Sequence, residues 1–274
     1  MNNMKNEFNI KKMPKMYDEL PLWSAPFGLR LLELIDYKPN IIAVDLGFGN
    51  GFPLIEMAMR LGSSSTVYGI EIWKEAFETV KEKIAFYGIS NVKLIESSIE
   101  TIPLDNNSVN LITSNNCINN VQDIGKALME CSRILKGNGQ FIVTMNLDKS
   151  MFEFYNIMED TLLELNLRTE IELMYQHIEQ KRPSVDNIIK PLKNDFIIKN
   201  IEYEQFDYKF TNGTAMLNHY FIKAAFVGAW IKIVPKNKVQ EIFRIIETKL
   251  NKQAEELNGI KLSVPFVVIN SLKK

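Results

Sequence analysis

The residues best suited to chemistry stand in one short run, Asp45-Leu46-Gly47-Phe48-Gly49-Asn50-Gly51, followed by a carboxylate at Glu71. Glycine at every second position lets another molecule approach the main chain where side chains would block it. The segment after the run has helical spacing, so its first turn offers free N–H groups and the positive end of a helix dipole. That arrangement favours a polar or anionic ligand. A carboxylate such as Glu71 is acceptor-only and can take two neighbouring hydroxyls at once, as on a ribose. A dinucleotide turn would read G-x-G-x-x-G, but Phe52 occupies the place of its last glycine. The D-x-G-x-G-x-G spacing therefore disfavours a nicotinamide-dependent oxidoreductase. Taken alone, the run is also compatible with a tight strand–helix turn that binds nothing, and Glu71 with a solvated charge. General-base chemistry near neutral pH falls most naturally to histidine, and the chain has two, His177 and His219.

These residues need elements to hold them. IIAVDLG at 41–47 is a continuous apolar, β-branched run, as expected of a strand buried on both faces. FPLIEMAMRLG at 52–62 predicts a helix with Pro53 in its first turn and Gly62 at its close. Further strands are expected at 66–71, 91–97, 109–114 and 139–146. Helices are expected at 73–87, closed by Gly88, and from Asp123 to near Gly137. Another follows at 150–166, with capping-box spacing at Ser150 and Glu153. Strands alternating with helices imply a parallel sheet covered on both faces. After residue 150 the rhythm breaks. A polar stretch at 175–195 precedes a strand at 196–210, helices at 214–234 and 237–258, and a last strand at 260–270. Pro265 lies inside that strand, where proline prefers an edge or a bulge.

Bulk properties narrow the partners. Hydrophobic residues make up 46% and charged residues 24% of 274, with a net charge of -1. That balance offers no broad basic field and argues against nucleic acid. Two cysteines, Cys117 and Cys131, make no disulfide framework and fit a reducing, cytoplasmic setting. The N-terminal stretch is basic but lacks the apolar core of a secretory signal. Ala215–Val234 approaches a spanning length, yet it holds Asn218, His219, Lys223 and Lys232, which are costly in lipid. A buried or lid helix is expected there, with an interfacial helix as the alternative, and not an integral membrane protein.

The four positions Asp45, Gly47, Gly49 and Gly51 resemble the first motif of the class I S-adenosylmethionine-dependent methyltransferases. The resemblance extends over roughly residues 38–150. It implies a doubly wound, mostly parallel seven-stranded sheet of Rossmann-like type and S-adenosyl-L-methionine as cofactor. It further implies Glu71 on the ribose hydroxyls and Ile72, beside Trp73, on the adenine face. Ser114 and Asn115, with Asn116 next to them, would lie beside the methionine part. Where the family often has an acidic residue for the adenine amino group, this chain has Ser98, between Ser97 and Ile99. That is a departure from the pattern, and the Ser98 hydroxyl or the main chain would have to serve. Within the superfamily the chain looks most like the small-molecule methyltransferases of the quinone-biosynthesis type. Ser114-Asn115-Asn116 is unlike the N-P-P-Y or D-P-P-Y of nucleobase amino methylases, and two cysteines are too few for an arsenite enzyme.

The implied organisation is an N-terminal arm and cover helix at 1–37, a cofactor-binding core at 38–150, and the rest of the sheet at 151–274. The last part carries a helical insertion at about 211–258, before the final strand, where an acceptor pocket is expected. Tyr17, Trp23 and Phe27 would either fold over the cofactor or anchor the arm. His219, beside Tyr220, is the candidate base or acceptor-orienting group, a satisfied buried histidine being the plainer reading. His177 lies beside Lys181 and Arg182, a cluster expected to be a solvated face more than a contact to an acidic acceptor. No metal is expected. The activity expected is direct methyl transfer to a small, apolar acceptor, and the alternative is a non-catalytic cofactor-binding or scaffold protein of the same fold.

Overall fold

A computed structural model describes residues 22–182 and 184–274; Tyr17 and the rest of 1–21 lie outside the described residues. Ile42–Leu46 (β1) is buried at four of its five positions, as its apolar run demands. It pairs in parallel with Thr66–Glu71 (β2) on one side and Val109–Asn115 (β4) on the other, so that Ala43 faces Val67 and Leu111. Val92–Glu96 (β3) continues in parallel beyond β2, and Leu135–Asn146 (β5) beyond β4. Ile260–Lys273 (β7) runs antiparallel along β5, and Phe196–Phe210 (β6) ends the sheet, giving the order β3-β2-β1-β4-β5-β7-β6. The chain is thus an α/β protein with the seven-stranded, mostly parallel sheet expected of it. Winding proceeds outward in one direction through β2 and β3 and in the other through β4 and β5. The crevice at the carboxyl ends of β1 and β4 is therefore the switch point at which open α/β sheets bind ligands.

Two compact units emerge from the described residues: 22–146 with 184–204 and 266–274, and 147–182 with 205–265. The first holds Ala25–Glu33 (α1), Leu54–Leu61 (α2), Lys74–Phe86 (α3), Ile124–Ile134 (α4) and, later in the chain, Val185–Asp195 (α7). Asp123 caps α4 as expected, accepting from Lys126 N at 3.0 Å. On α2, Leu54, Ile55, Met57, Ala58 and Leu61 are buried at helical spacing. A Cβ at Gly69 of β2 would stand 2.6 Å from Leu54 Cδ2 and 2.7 Å from Phe48 Cδ1. That glycine lets α2 and the glycine run lie close on the sheet.

The second unit holds Phe152–Glu164 (α5), Arg168–Lys181 (α6), Gly213–Asn218 (α8), Tyr220–Ile222 (α9), Gly228–Ile233 (α10) and Val239–Leu257 (α11). Its core includes Phe154, Tyr155, Met158, Phe221, Trp230, Phe243 and Ile246.

Several local expectations are corrected. The stretch at 175–195 is helical, belonging to α6 and α7. Only Met174 of α6 is buried, so its apolar periodicity is faint. The helix expected at 214–234 is broken: His219 takes an extended conformation after α8, and a π-helical turn at Lys223–Val227 separates α9 from α10. Among the described residues no helix is long and apolar enough to cross a membrane. Pro53 stands at the N-cap of α2 and not inside its first turn. Ser150 and Glu153 do not form a capping box. Met151, at φ 61°, is the N-cap of α5, and the Glu153 carboxylate instead accepts from Ser263 N and from Ser263 Oγ, the latter at 2.6 Å. Pro265 disturbs no bond of the β5–β7 ladder. That pairing ends at Asn146 opposite Phe266, and the Pro265 carbonyl accepts from Leu147 N at 2.9 Å.

Candidate functional site

The three glycines after β1 all have positive φ, at +71°, +51° and +105°, where an L side chain is strained. Their surroundings differ. A Cβ at Gly47 would lie 2.1 Å from Cys117 Sγ, and one at Gly51 would lie 2.8 Å from Ile55 Cδ1. A Cβ at Gly49 would meet nothing among the described residues within 4 Å. Gly47 and Gly51 are therefore packing positions, while Gly49 faces open space. The loop is tied down by Gly47 N donating to Ile70 O at 2.8 Å and by Lys83 Nζ donating to Asn50 O at 2.7 Å.

Glu71 ends β2 beside this loop. Its Oε2 accepts from Gly49 N at 3.0 Å, and its Oε1 accepts from Ile72 N at 2.9 Å and Trp73 N at 3.0 Å. A carboxylate offers about four acceptor sites. Three main-chain donors hold the group in place and leave capacity for a ligand hydroxyl. Ile72, the next residue, is 68% exposed, presenting apolar surface at the same rim.

The remaining predicted residues divide into two kinds. Asp45 is fully buried and turned into the sheet, where its Oδ1 accepts from Thr113 Oγ1 at 2.7 Å. Its Oδ2 has no partner among the described residues. Burial pushes its carboxyl up to about 7, against the pull of the Thr113 hydroxyl and with help from the charge of Glu71. Asp45 thus braces β1 against β4 and does not itself face the opening over Gly49. Ser114 is buried with no hydroxyl partner among the described residues. Asn115 is locked: its Nδ2 donates to Ser24 O at 3.2 Å, and its Oδ1 accepts from Thr144 Oγ1 at 2.9 Å. Ser98 Oγ accepts from Glu100 N at 3.1 Å, which keeps its proton available to a ligand, and Ile99 is buried.

Residues that pattern reasoning passed over complete the rim. A Cβ at Gly28 would lie 2.3 Å from Phe52 Cε1 and 3.1 Å from Asn115 Nδ2, so α1 lies directly on the loop and on the end of β4. A glycine in the middle of an otherwise apolar helix was the available signal. Phe27, the residue before it, anchors the arm: it is fully buried, with its ring 4.7 Å from that of Phe266. Trp23 packs on it at 5.9 Å. Burial, with the charges of Glu71 and Asp45, pushes the Cys117 thiol up to about 12, so it stays neutral against Gly47. Thr113, Lys83 and Cys117 carried no sequence signal, because each acts through a partner distant along the chain.

These features fit the nucleoside that the sequence resemblance implies. There is open space over one glycine, a fixed carboxylate with spare acceptor capacity, and an exposed apolar side chain next to it.

The histidines belong to the second unit. His219 packs its ring against Phe210 at 5.3 Å and Tyr208 at 6.2 Å. Its Nδ1 is buried without a partner among the described residues, and burial lowers its pKa. His177 is held down to about 4, by burial first and then by Arg182 and Lys181. Arg182 corrects an expectation: it is not on a solvated face but only 3% exposed.

A family model described as a methyltransferase domain matches residues 37–209. A 2-phytyl-1,4-naphtoquinone methyltransferase of Trichormus variabilis is 28% identical over 145 residues, covering 50% of this chain and 63% of that protein. The ubiquinone/menaquinone biosynthesis C-methyltransferase UbiE of Rickettsia prowazekii is 27% identical over 210 residues, covering 72% of this chain and 80% of that one. For three of the curated relatives it matches, the chain spans 54 to 63% of the relative's length. A geranyl diphosphate C-methyltransferase of Streptomyces coelicolor A3(2) superposes with a TM-score of 0.58 at 16% identity, covering 99% of this chain and 86% of that one. That likeness is one of fold.

Proposed function

The chain belongs to the methyltransferase domain family, and on that premise we propose that it transfers a methyl group from S-adenosyl-L-methionine to a small-molecule acceptor. The observation that carries the reading is the meeting of Glu71 with Gly49, 3.0 Å from oxygen to nitrogen, under open space at the switch point of the sheet. When bound, the cofactor supplies a methyl carbon made electrophilic by its sulfonium. The chain's own residues bind, orient and exclude water, which is most of what such a transfer asks of a protein. Glu71 accepts the ribose hydroxyls, and Ile72 covers the adenine, with Ser98 and Ile99 at its edge. Gly49 leaves room for the methionine part, which Ser114 and Asn115 border. Asp45 acts by holding β1 and β4 in register.

The acceptor is read as an uncharged ring of low polarity, since the Trichormus and Rickettsia relatives are named for quinone methylation. His219 is the proposed proton acceptor when the acceptor must lose a proton. Burial lowers its pKa and so favours the neutral ring, and its Nδ1 is uncommitted among the described residues, which supports that role. A reducing, cytoplasmic setting suits two thiols without a disulfide.

Titration calorimetry with S-adenosylhomocysteine should show binding to the wild type. Glu71→Ala should weaken it by about 1.5–3 kcal/mol, the worth of a lost charged hydrogen bond. Binding of NADH in place of S-adenosylhomocysteine would sink the reading. With labelled S-adenosylmethionine and a reduced 1,4-naphthoquinone, His219→Ala should keep cofactor affinity and lose turnover. Unchanged turnover would leave His219 a packing residue.

A further inference from the structure

Arg182 is the charged group that the fold explains least. It closes α6, lies at 3% exposure, and carries a guanidinium centred 5.1 Å over the Tyr155 ring. Nη1 donates to the Tyr155 hydroxyl at 3.3 Å, and Nε is buried without a hydrogen-bond partner among the described residues. Among the described residues no carboxylate forms an ion pair with it. The same hydroxyl accepts from Trp230 Nε1 at 3.1 Å, and Trp230 stacks on Phe154 with ring centres 3.7 Å apart. The His177 ring lies 6.4 Å from that of Tyr155 and is half-buried.

A guanidinium taken out of water needs an opposite charge and filled hydrogen bonds to recover its lost hydration. A neutral hydroxyl and one ring face return part of that, and the carbonyl end of α6 offers the equivalent of about half a charge. Methionine, of similar length, would pack among these aromatics without the cost. Retention of arginine here makes sense if an anion completes the site.

We propose that Arg182 anchors a ligand site in the second unit for an organic monocarboxylate, entering on the side of His177. The guanidinium fork matches the two oxygens of a planar carboxylate, and Nε is the donor left open for one of them. The neighbouring imidazole is neutral at pH 7, and Lys181 is exposed. One buried positive charge therefore sets the balance, which suits a carboxylate better than a doubly charged phosphate. The rings of His177 and Tyr155 favour a flat or apolar body behind the carboxylate.

Calorimetry on the full chain with benzoate, benzamide and inorganic phosphate tests this without any variant. Benzoate is expected to bind, benzamide not to, and phosphate more weakly than benzoate. Arg182→Met should lose benzoate by roughly tenfold or more, while S-adenosylhomocysteine affinity and the melting temperature without benzoate stay the same or rise. Arg182→Lys keeps the charge without the fork and should fall between. No benzoate binding to the wild type, equal binding of benzamide, tighter binding of phosphate, or full benzoate binding by Arg182→Met would each overturn the proposal. Cofactor binding is read in the same samples, so loss of one assignment is distinguishable from loss of the other.

Discussion

The rim around Gly49 and the cluster around Tyr155 are both polar sites, but they are made from different materials. The rim is made largely of main chain: three glycines, three N–H groups converging on Glu71, and a helix start. The cluster is made of side chains alone, with Phe154, Tyr155, His177, Arg182 and Trp230 brought from three helices. In the rim the carboxylate facing outward is held by three main-chain donors, and the atoms without a partner among the described residues, Asp45 Oδ2 and Ser114 Oγ, are buried. In the cluster the uncompensated atom, Arg182 Nε, belongs to the charged group itself. A main-chain site is preorganised by the fold, whereas a side-chain site keeps an unmet need that a ligand can fill.

That contrast can be broken at the glycines first. Gly47→Val should cost about 3–5 kcal/mol in urea unfolding, from left-handed strain plus collision with Cys117. Gly49→Ala should cost only about 1 kcal/mol of stability yet weaken S-adenosylhomocysteine. Equal destabilisation by the two would mean that the space over Gly49 is not open.

The two regions should also respond oppositely to pH. Asp45 has its folded pKa raised from 3.8 to about 7, so the folded state holds the proton more tightly. Between about pH 4 and 7 this group makes stability fall as pH rises, by about 2–4 kcal/mol in total. Asp45→Asn should abolish that fall. A wild-type minus variant difference that is flat with pH would show that Asp45 ionises freely.

Tyr155→Phe leaves Trp230 Nε1 and Arg182 Nη1 without their acceptor and should cost about 1–3 kcal/mol. A neutral outcome would show that the hydroxyl is not the hub of the cluster.

The smallest effect is expected at His177, whose folded pKa is lowered from 6.5 to about 4. Here the unfolded chain takes the proton first, so stability is lost as pH falls from about 6.5 towards 4. The loss is softened because the ring is partly solvated. His177→Gln should remove this acid-side loss, and a variant as acid-labile as the wild type would refute it.

Much of the first unit was legible along the chain. Asp123 caps its helix as its type and position suggested. The β-branched run at 41–47 became an inner strand of the sheet, and Glu71, at the end of β2, came to the glycine loop as the family resemblance implied. The second unit was read less well, for identifiable reasons. Helix α6 buries one residue and so shows little amphipathic pattern. The apolar stretch at 215–234 has no glycine or proline at its first break, where His219 turns extended against the aromatic rings of β6. Arg182 looked solvated beside Lys181, and only its aromatic neighbours from elsewhere reveal that it is buried.

By itself the sequence determined the parts of this protein that depend on local geometry: alternation of strands and helices, the side-chain-free bend, and the carboxylate one strand later. Those follow from backbone conformation and apolar period, which act over a few residues. The tertiary structure alone decided that burial raises the Asp45 carboxyl to about 7, that Gly28 admits α1 onto the rim, and that Arg182 lies buried without a carboxylate partner among the described residues. Such outcomes depend on desolvation and on partners far apart in the chain, and neither is written in any short stretch of it.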